Sequence, residues 1–203
     1  MPARFSAGDL SGKAVCKATL QKVFYLKEDP SVPLLGIVSR FAHQKGFDLL
    51  IHALPLSLHE MIFQLVVLGS GDHDTESFFR WLPAREVGRV GSYIGFSNEL
   101  AHLITAGSDF FVMPSLYEPC GLGQMYALKY GTLPLVRSTG GLEDTVENYD
   151  EATGTGTGFK FFQPTASALH NTIGWAVSTW FDRPAHIAQL RRQAMAKNFS
   201  WRH

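Results

Sequence analysis

The chain has 203 residues, 45% of them hydrophobic and 18% charged, a balance that supports one substantial buried core and excludes a disordered, solvating polypeptide. Eighteen Lys and Arg offset eighteen Asp and Glu, so the formal net charge is zero and no basic field points to nucleic acid or to an acidic membrane surface. The two cysteines, Cys16 and Cys120, lack the spacing of a zinc site or disulfide framework, and no apolar run reaches the roughly 20 residues that a bilayer span needs. The first ten residues lack the apolar centre of a secretory signal, so a reducing, cytoplasmic setting is expected.

Short apolar runs alternate with longer amphipathic ones, the rhythm of a mostly parallel sheet covered by helices on both faces. In chain order the expected strands are PLLGIVS (33–39), FQLVVLG (63–69), RVGSYIG (89–95), DFFVMPS (109–115) and TLPLVRS (132–138). The expected helices between them are GFDLLIHALPLSLHE (46–60), DTESFFRWLP (74–83), NELAHLITAGS (98–108) and GLGQMYALKYG (121–131). Asp72 or Asp74 and Asn98 are the expected caps, Gly131 the stop, and Pro55 a kink or early end of the first helix. The glycine-rich EATGTGTGF (151–159) reads as a connection, because its glycines lack the strand and helix context of a phosphate loop. Residues 164–182 and 185–199 follow as helices, the first carrying Leu169, Ile173, Ala176, Val177, Trp180 and Phe181 at helical spacing.

Two segments carry chemistry. Within SLYEPCGLGQMYALKYGTLPLVRSTGGLEDTV (115–146), Pro119 biases Glu118 away from helical dihedrals, and Cys120, Gly121, Leu122 and Gly123 open a helical run. A helix starting just behind an acid presents unpaired amides to an anion or to hydroxyl oxygens, and the glycines let a ligand approach the backbone. In GIVSRFAHQKGFDLL (36–50), Arg40 and Lys45 flank a short loop and Gly46 begins the next helix, so both cations can point at one anion. Arg40 follows the first strand, Gly69 and Gly71 the second, Phe96 the third, Glu118 the fourth, and Thr139 to Gly141 the fifth. Ligands of doubly wound sheets bind beyond these carboxyl ends, near the switch in strand order.

These two segments, together with MPARFSAGDLSGKAVCKATLQ (1–21), IGFSNELAHLI (94–104) and FSW (199–201), resemble the bacterial glycogen synthase and plant starch synthase family. Its members are retaining glucosyltransferases of two facing nucleotide-binding-type domains, and the resemblance covers nearly the whole chain. It implies a doubly wound, mostly parallel, Rossmann-like α/β sheet forming the C-terminal half of a GT-B-type enzyme. Residues 1–203 would be a single nucleotide-sugar-binding domain, with C-terminal helices in 164–203 and the N-terminal acceptor-side domain absent. The catalytic residues so implied are Arg40, Lys45 and Glu118, the two cations on the donor diphosphate and the acid on the glucose hydroxyls.

Backbone amides near Cys120, Gly121 and Leu122 would complete the sugar contacts, with Cys120 a small buried residue beside them. Gly123 stands where many relatives carry a polar side chain that reaches phosphate, so a backbone amide would substitute. Phe96, where relatives often have Tyr, is placed to stack on the base. Thr139, Gly140 and Gly141 read either as a second amide-rich turn near the diphosphate or as an ordinary strand-to-helix turn. The implied donor is ADP-glucose (or ADP alone), preferred over UDP only through the bacterial-type resemblance, and the implied acceptor is an α-1,4-glucan held through the missing domain. The isolated chain is expected to bind donor without turning it over; a noncatalytic nucleotide-sugar or glucan-binding module is the alternative. A plastid location stays open for a plant-type fragment.

Other chemistries lack their residues. Gly69 and Gly71 miss the third glycine and the downstream acid of a dinucleotide fingerprint. His52 and His59 have no third ligand, so neither a metal nor any other cofactor is expected, and no nucleophile elbow supports a hydrolytic triad.

Overall fold

A computed structural model describes residues 1–199. In chain order the elements are α1 (Ser11–Val23), β1 (Leu34–Val38), a single 3-10 turn (His43–Lys45), α2 (Phe47–Glu60), β2 (Gln64–Gly69), α3 (His73–Arg85), β3 (Val90–Ile94), α4 (Asn98–Gly107) and β4 (Phe110–Met113). They continue with α5 (Gly123–Lys129), β5 (Leu133–Arg137), α6 (Gly140–Thr145), β6 (Phe159–Phe161), α7 (Ala166–Asp182) and α8 (Pro184–Ala196). The six strands form one parallel sheet in the order β3-β2-β1-β4-β5-β6.

Both sheet faces are covered, which is why the strands are continuous apolar runs; every residue of β2 is buried. Alternation sorts their side chains. Leu34, Val66 and Leu68 pack with Leu20 of α1 and Ile104 of α4 on one face. Leu35, Ile37, Leu65 and Val67 pack with Leu54 of α2, Phe79 of α3 and Ile173 of α7 on the other. The register is uneven. Five residue pairs join β1 to β2, from Leu34↔Gln64 to Val38↔Leu68, whereas β1 and β4 share only Leu35↔Phe110 and Gly36↔Phe111.

At the amino ends of the strands, Asp109 is buried and acts as a node. It accepts from the Leu34 amide at 2.9 Å and pairs with Lys17 at 2.7 Å and Arg191 at 2.6 Å, tying α1, β1, β4 and α8 together. Burial pushes its carboxyl upward, but Lys17 and Arg191 outweigh that and hold it below its ordinary value. Nearby, Lys13 donates to Ala106 O (2.9 Å), Tyr130 O (3.0 Å) and Thr132 Oγ1 (2.6 Å). Burial, reinforced by the charge of Arg191, pushes the Lys13 amine well below its ordinary value.

Several expectations change. Pro55 lies inside α2 without ending it, since the helix runs on to Glu60 with Leu54 and Leu58 buried in the core on either side of it. Ser97, rather than Asn98, caps α4 by accepting from the Leu100 amide, because its extended backbone lets the hydroxyl reach that donor. Asp72, rather than Asp74, caps α3 through the Thr75 amide. Gly131, with φ of 59°, stops α5 as expected. α1 and β6 were not among the expected elements; β6 begins at Phe159, the last residue of the segment read as a connection. Ser200 and Trp201 of the FSW motif lie outside the described residues.

Candidate functional site

Strands β1 and β4 are neighbours, yet the chain winds outward from them in opposite directions, leaving a crevice at their carboxyl ends. A hollow of about 220 Å³ occupies it, lined among others by Arg40, Lys45, Ser115, Glu118, Leu122 and Gly123. The Lys45 ammonium donates to Glu118 Oε2 at 2.6 Å, and the Ser115 hydroxyl donates to the same oxygen at 3.2 Å. Glu118 is 6% exposed, whereas Arg40 lies at the open rim. The structure therefore brings Arg40, Lys45 and Glu118 together as lining residues of one space, with the Lys45 ammonium and the Glu118 carboxylate in direct contact.

The local sequence explains how the two loops meet. Gly46 has φ of 74°, and a Cβ there would stand 1.9 Å from the Pro114 carbonyl oxygen. The Leu116 amide donates to Gln44 O at 2.8 Å, so the turn carrying Lys45 is stitched to the turn carrying Glu118. A second stitch comes from α6. The Gly141 amide donates to Glu118 O at 3.0 Å, and Cβ atoms at Gly140 and Gly141 would approach Glu118 O to 2.2 Å and Cys120 O to 1.9 Å. Of the two readings of Thr139 to Gly141, this favours the strand-to-helix turn: its glycines let one backbone press on another, and the Gly141 amide is already used.

The loop after Glu118 departs from expectation. Gly121 has φ of 70°, which interrupts helical progression, and α5 begins only at Gly123; Cys120, Gly121 and Leu122 form a turn ahead of it. In that turn Cys120 is exposed rather than buried. Gln124, not singled out from the sequence, is fully buried beneath the turn and donates to Cys120 O (3.0 Å), Gly121 O (3.1 Å) and Thr145 Oγ1 (3.1 Å). Ser115 was also missed. Its hydroxyl contact with Glu118 depends on the path of the chain between them, and the residue types alone carry no signal for it.

Phe96 is 86% exposed beside a second hollow of about 230 Å³, which Arg40 shares with the first and which Gly69, Ser70 and Gly95 also line. The open space thus runs from the end of β4 to the end of β3. Gly69 admits the β1 exit, since its Cβ would meet Ser39 O at 2.1 Å, and this close approach accounts for a glycine that superficially suggested a fingerprint. A roomier cavity of about 430 Å³ lies by Lys17, Asp109 and Arg191 at the opposite end of the sheet. Lys17, Asp109 and Arg191 there are engaged with one another, so the carboxyl end is the better candidate site. Among the described residues, no group of three or more His, Cys, Asp or Glu is arranged to hold a metal ion. No helix among them is long and apolar enough to cross a membrane.

The family described as glycosyl transferases group 1 matches residues 21–195. This chain belongs to that family. It is 51% identical over 199 residues to glycogen synthase 1 of Geobacter metallireducens, covering 98% of this chain and 39% of that protein. It is 46% identical over 205 residues to the glycogen synthase of Treponema denticola, covering 99% and 42% respectively. Among solved structures, the catalytic domain of starch synthase IV from Arabidopsis thaliana, bound to ADP and acarbose, superimposes with a TM-score of 0.91 at 33% identity. That match covers 99% of this chain and 42% of the starch synthase chain. The chain thus spans about two fifths of the length of these relatives. The match agrees with the expected fold class, a doubly wound sheet corresponding to the C-terminal half of a two-domain GT-B glycosyltransferase.

Proposed function

We propose that this chain is the donor-binding half of a glycogen or starch synthase, which transfers glucose from ADP-glucose to the non-reducing end of an α-1,4-glucan with retention. The observation that carries the reading is the Lys45–Glu118 contact at 2.6 Å in a hollow shared with Arg40. The similarity to glycogen synthases and to an ADP-bound starch synthase supports it.

In this reading the bond between the anomeric carbon and the phosphate oxygen breaks, and negative charge grows on the departing diphosphate. Arg40 offers a planar fork and Lys45 a compact ammonium, both aimed where that charge develops. Glu118 accepts from hexose hydroxyls beside them. The Gly123 amide, first in α5, faces the diphosphate, and the turn of Cys120, Gly121 and Leu122 borders the sugar. Phe96 stacks on the adenine over the second hollow. Thr139 to Gly141 act behind the site rather than on the diphosphate, their turn supporting the backbone of Glu118 and Cys120. No metal or other cofactor enters this scheme, the two cations taking the electrophilic role. The acceptor glucan is held by a facing domain that this chain does not include, so closure and exclusion of water need that partner.

Calorimetric titration with ADP, ADP-glucose and a maltooligosaccharide tests the reading. ADP-glucose is expected to bind more tightly than ADP, and Arg40→Ala or Lys45→Ala to weaken both by roughly tenfold or more, the scale of one lost charge-assisted bond. Glucosyl transfer by the isolated chain is expected to be negligible. Robust transfer would overturn the expectation that the chain needs its facing domain, whereas glucan binding indifferent to both substitutions with no nucleotide binding would reject the donor site and favour a noncatalytic glucan-binding module.

A further inference from the structure

Arg137, the last residue of β5, makes no ion pair among the described residues and does not line the hollow. Its guanidinium is spent on backbone carbonyls. Nε donates to Ser115 O at 2.9 Å, one terminal nitrogen donates to Leu116 O, and the other reaches Phe162 O at 3.5 Å. Those first two carbonyls belong to the turn that delivers Glu118. The opposite side of the same turn is held through its amides, since Leu116 N and Tyr117 N both donate to Gln44 O, at 2.8 and 3.4 Å. The turn is therefore gripped from two sides, by a carbonyl of the Lys45 loop and by a fork rising from β5. Ser115, pinned through its carbonyl, then aims its hydroxyl at Glu118 Oε2.

We propose that Arg137 is a positioning residue for Glu118: its fork fixes the 115–118 turn, and so sets the preference for a hexose-bearing nucleotide over the bare nucleotide. This rests on the donor-site reading above. Three features separate the role from a general contribution to folding. Two of the three contacts of the fork, and the shorter ones, fall on one turn; that turn bears the acid that would hold the hexose; and the cations assigned to the diphosphate lie on a different loop. A planar fork that meets two adjacent carbonyls has no equivalent in lysine, which keeps the charge but offers a single ammonium on a flexible stem. Charge and shape are thus separable by substitution.

The test compares ADP and ADP-glucose binding by calorimetry for the full chain and for Glu118→Gln, Arg137→Met, Arg137→Lys and the Glu118→Gln, Arg137→Met double variant. Amide hydrogen exchange at Leu116 and Tyr117 is read alongside. Arg137→Met is expected to shrink the ADP-glucose preference roughly tenfold and to leave ADP affinity unchanged. It should add nothing in the double variant, Lys should fail to restore the preference, and exchange at the two amides should quicken while β2 amides keep their protection. Equal weakening of ADP and ADP-glucose, full restoration by Lys, or a preference lost in Glu118→Gln and kept in Arg137→Met overturns the role of Arg137. No ADP-glucose preference in the unsubstituted chain, or none lost in Glu118→Gln, overturns the donor-site reading and this role with it. Should Arg137→Met not fold, Arg137→Gln, which keeps one amide donor, carries the same comparison.

Discussion

Gly46 shows how much of the candidate site is fixed by single residues. Its φ of 74° is a conformation that disfavours side chains, and its missing Cβ leaves room for the Pro114 carbonyl. Gly88 shares the φ of 74°, but a Cβ there would find its nearest neighbour at 3.7 Å, an ordinary contact. Gly88→Ala should therefore cost only left-handed strain, about 1–2 kcal/mol, whereas Gly46→Ala must also push two loops apart. Thermal unfolding is expected to show a visibly larger loss for Gly46→Ala, with ADP binding reduced in that variant alone; equal losses would mean that the two loops are not braced through Gly46. Arg40, Lys45 and Glu118 were legible in the sequence because the segments around them, SRFAHQKG and PSLYEPCGL, resemble a known family; taken singly, a loop cation or an acid at a helix start has an ordinary structural explanation. Ser115, Gln124 and Arg137 were not, because each acts on backbone or side-chain atoms that only the fold brings within reach.

Among elements, β1 to β5 were readable because continuous apolar runs between turn residues are what a doubly covered parallel sheet demands. α1 hid its nature. Its inward face carries Lys13, Lys17 and Gln21 beside Cys16 and Leu20, all buried, so the apolar stripe that signals an amphipathic helix is interrupted by polar groups. β6 is only three residues long, too short for a period-two pattern. The same polar face of α1 yields a pH prediction through Asp109, whose folded-state value lies below its ordinary 3.8. The unfolded chain then takes up this proton first, so the stability Asp109 contributes is complete above about pH 3.8 and is lost as pH falls through the lower folded value. Asp109→Asn strands Lys17 and Arg191 and should cost about 3–5 kcal/mol at neutral pH. Denaturant melts across pH 2–5 should also show a shallower acid limb for Asp109→Asn, though not a flat one. Asp9, Asp29 and Asp72 are likewise held below their ordinary values by neighbouring Ser or Thr donors. An unchanged acid limb would remove Asp109 from the account.

Across the whole molecule, the doubly wound fold was readable from the alternation of runs, but the strand order behind the crevice was not, because pairing between distant segments leaves no local trace. Phe96, Leu122 and Phe162 remain 86%, 57% and 63% exposed on loops that follow strands β3, β4 and β6, an apolar rim at the end of the sheet where the candidate site lies. The narrow register between β1 and β4 has a mechanical consequence. With two paired positions against five between β1 and β2, that line is where the sheet is most weakly sewn, and Arg40 stands on one bank of it and Glu118 on the other. A nucleotide sugar grasped by both would act as a rivet, and at a hundredfold excess over its dissociation constant it would add about 2.7 kcal/mol against unfolding. Amide protection in β1 and β4 should then rise more than in β3, so that occupancy of the crevice is written into the cohesion of the sheet beneath it.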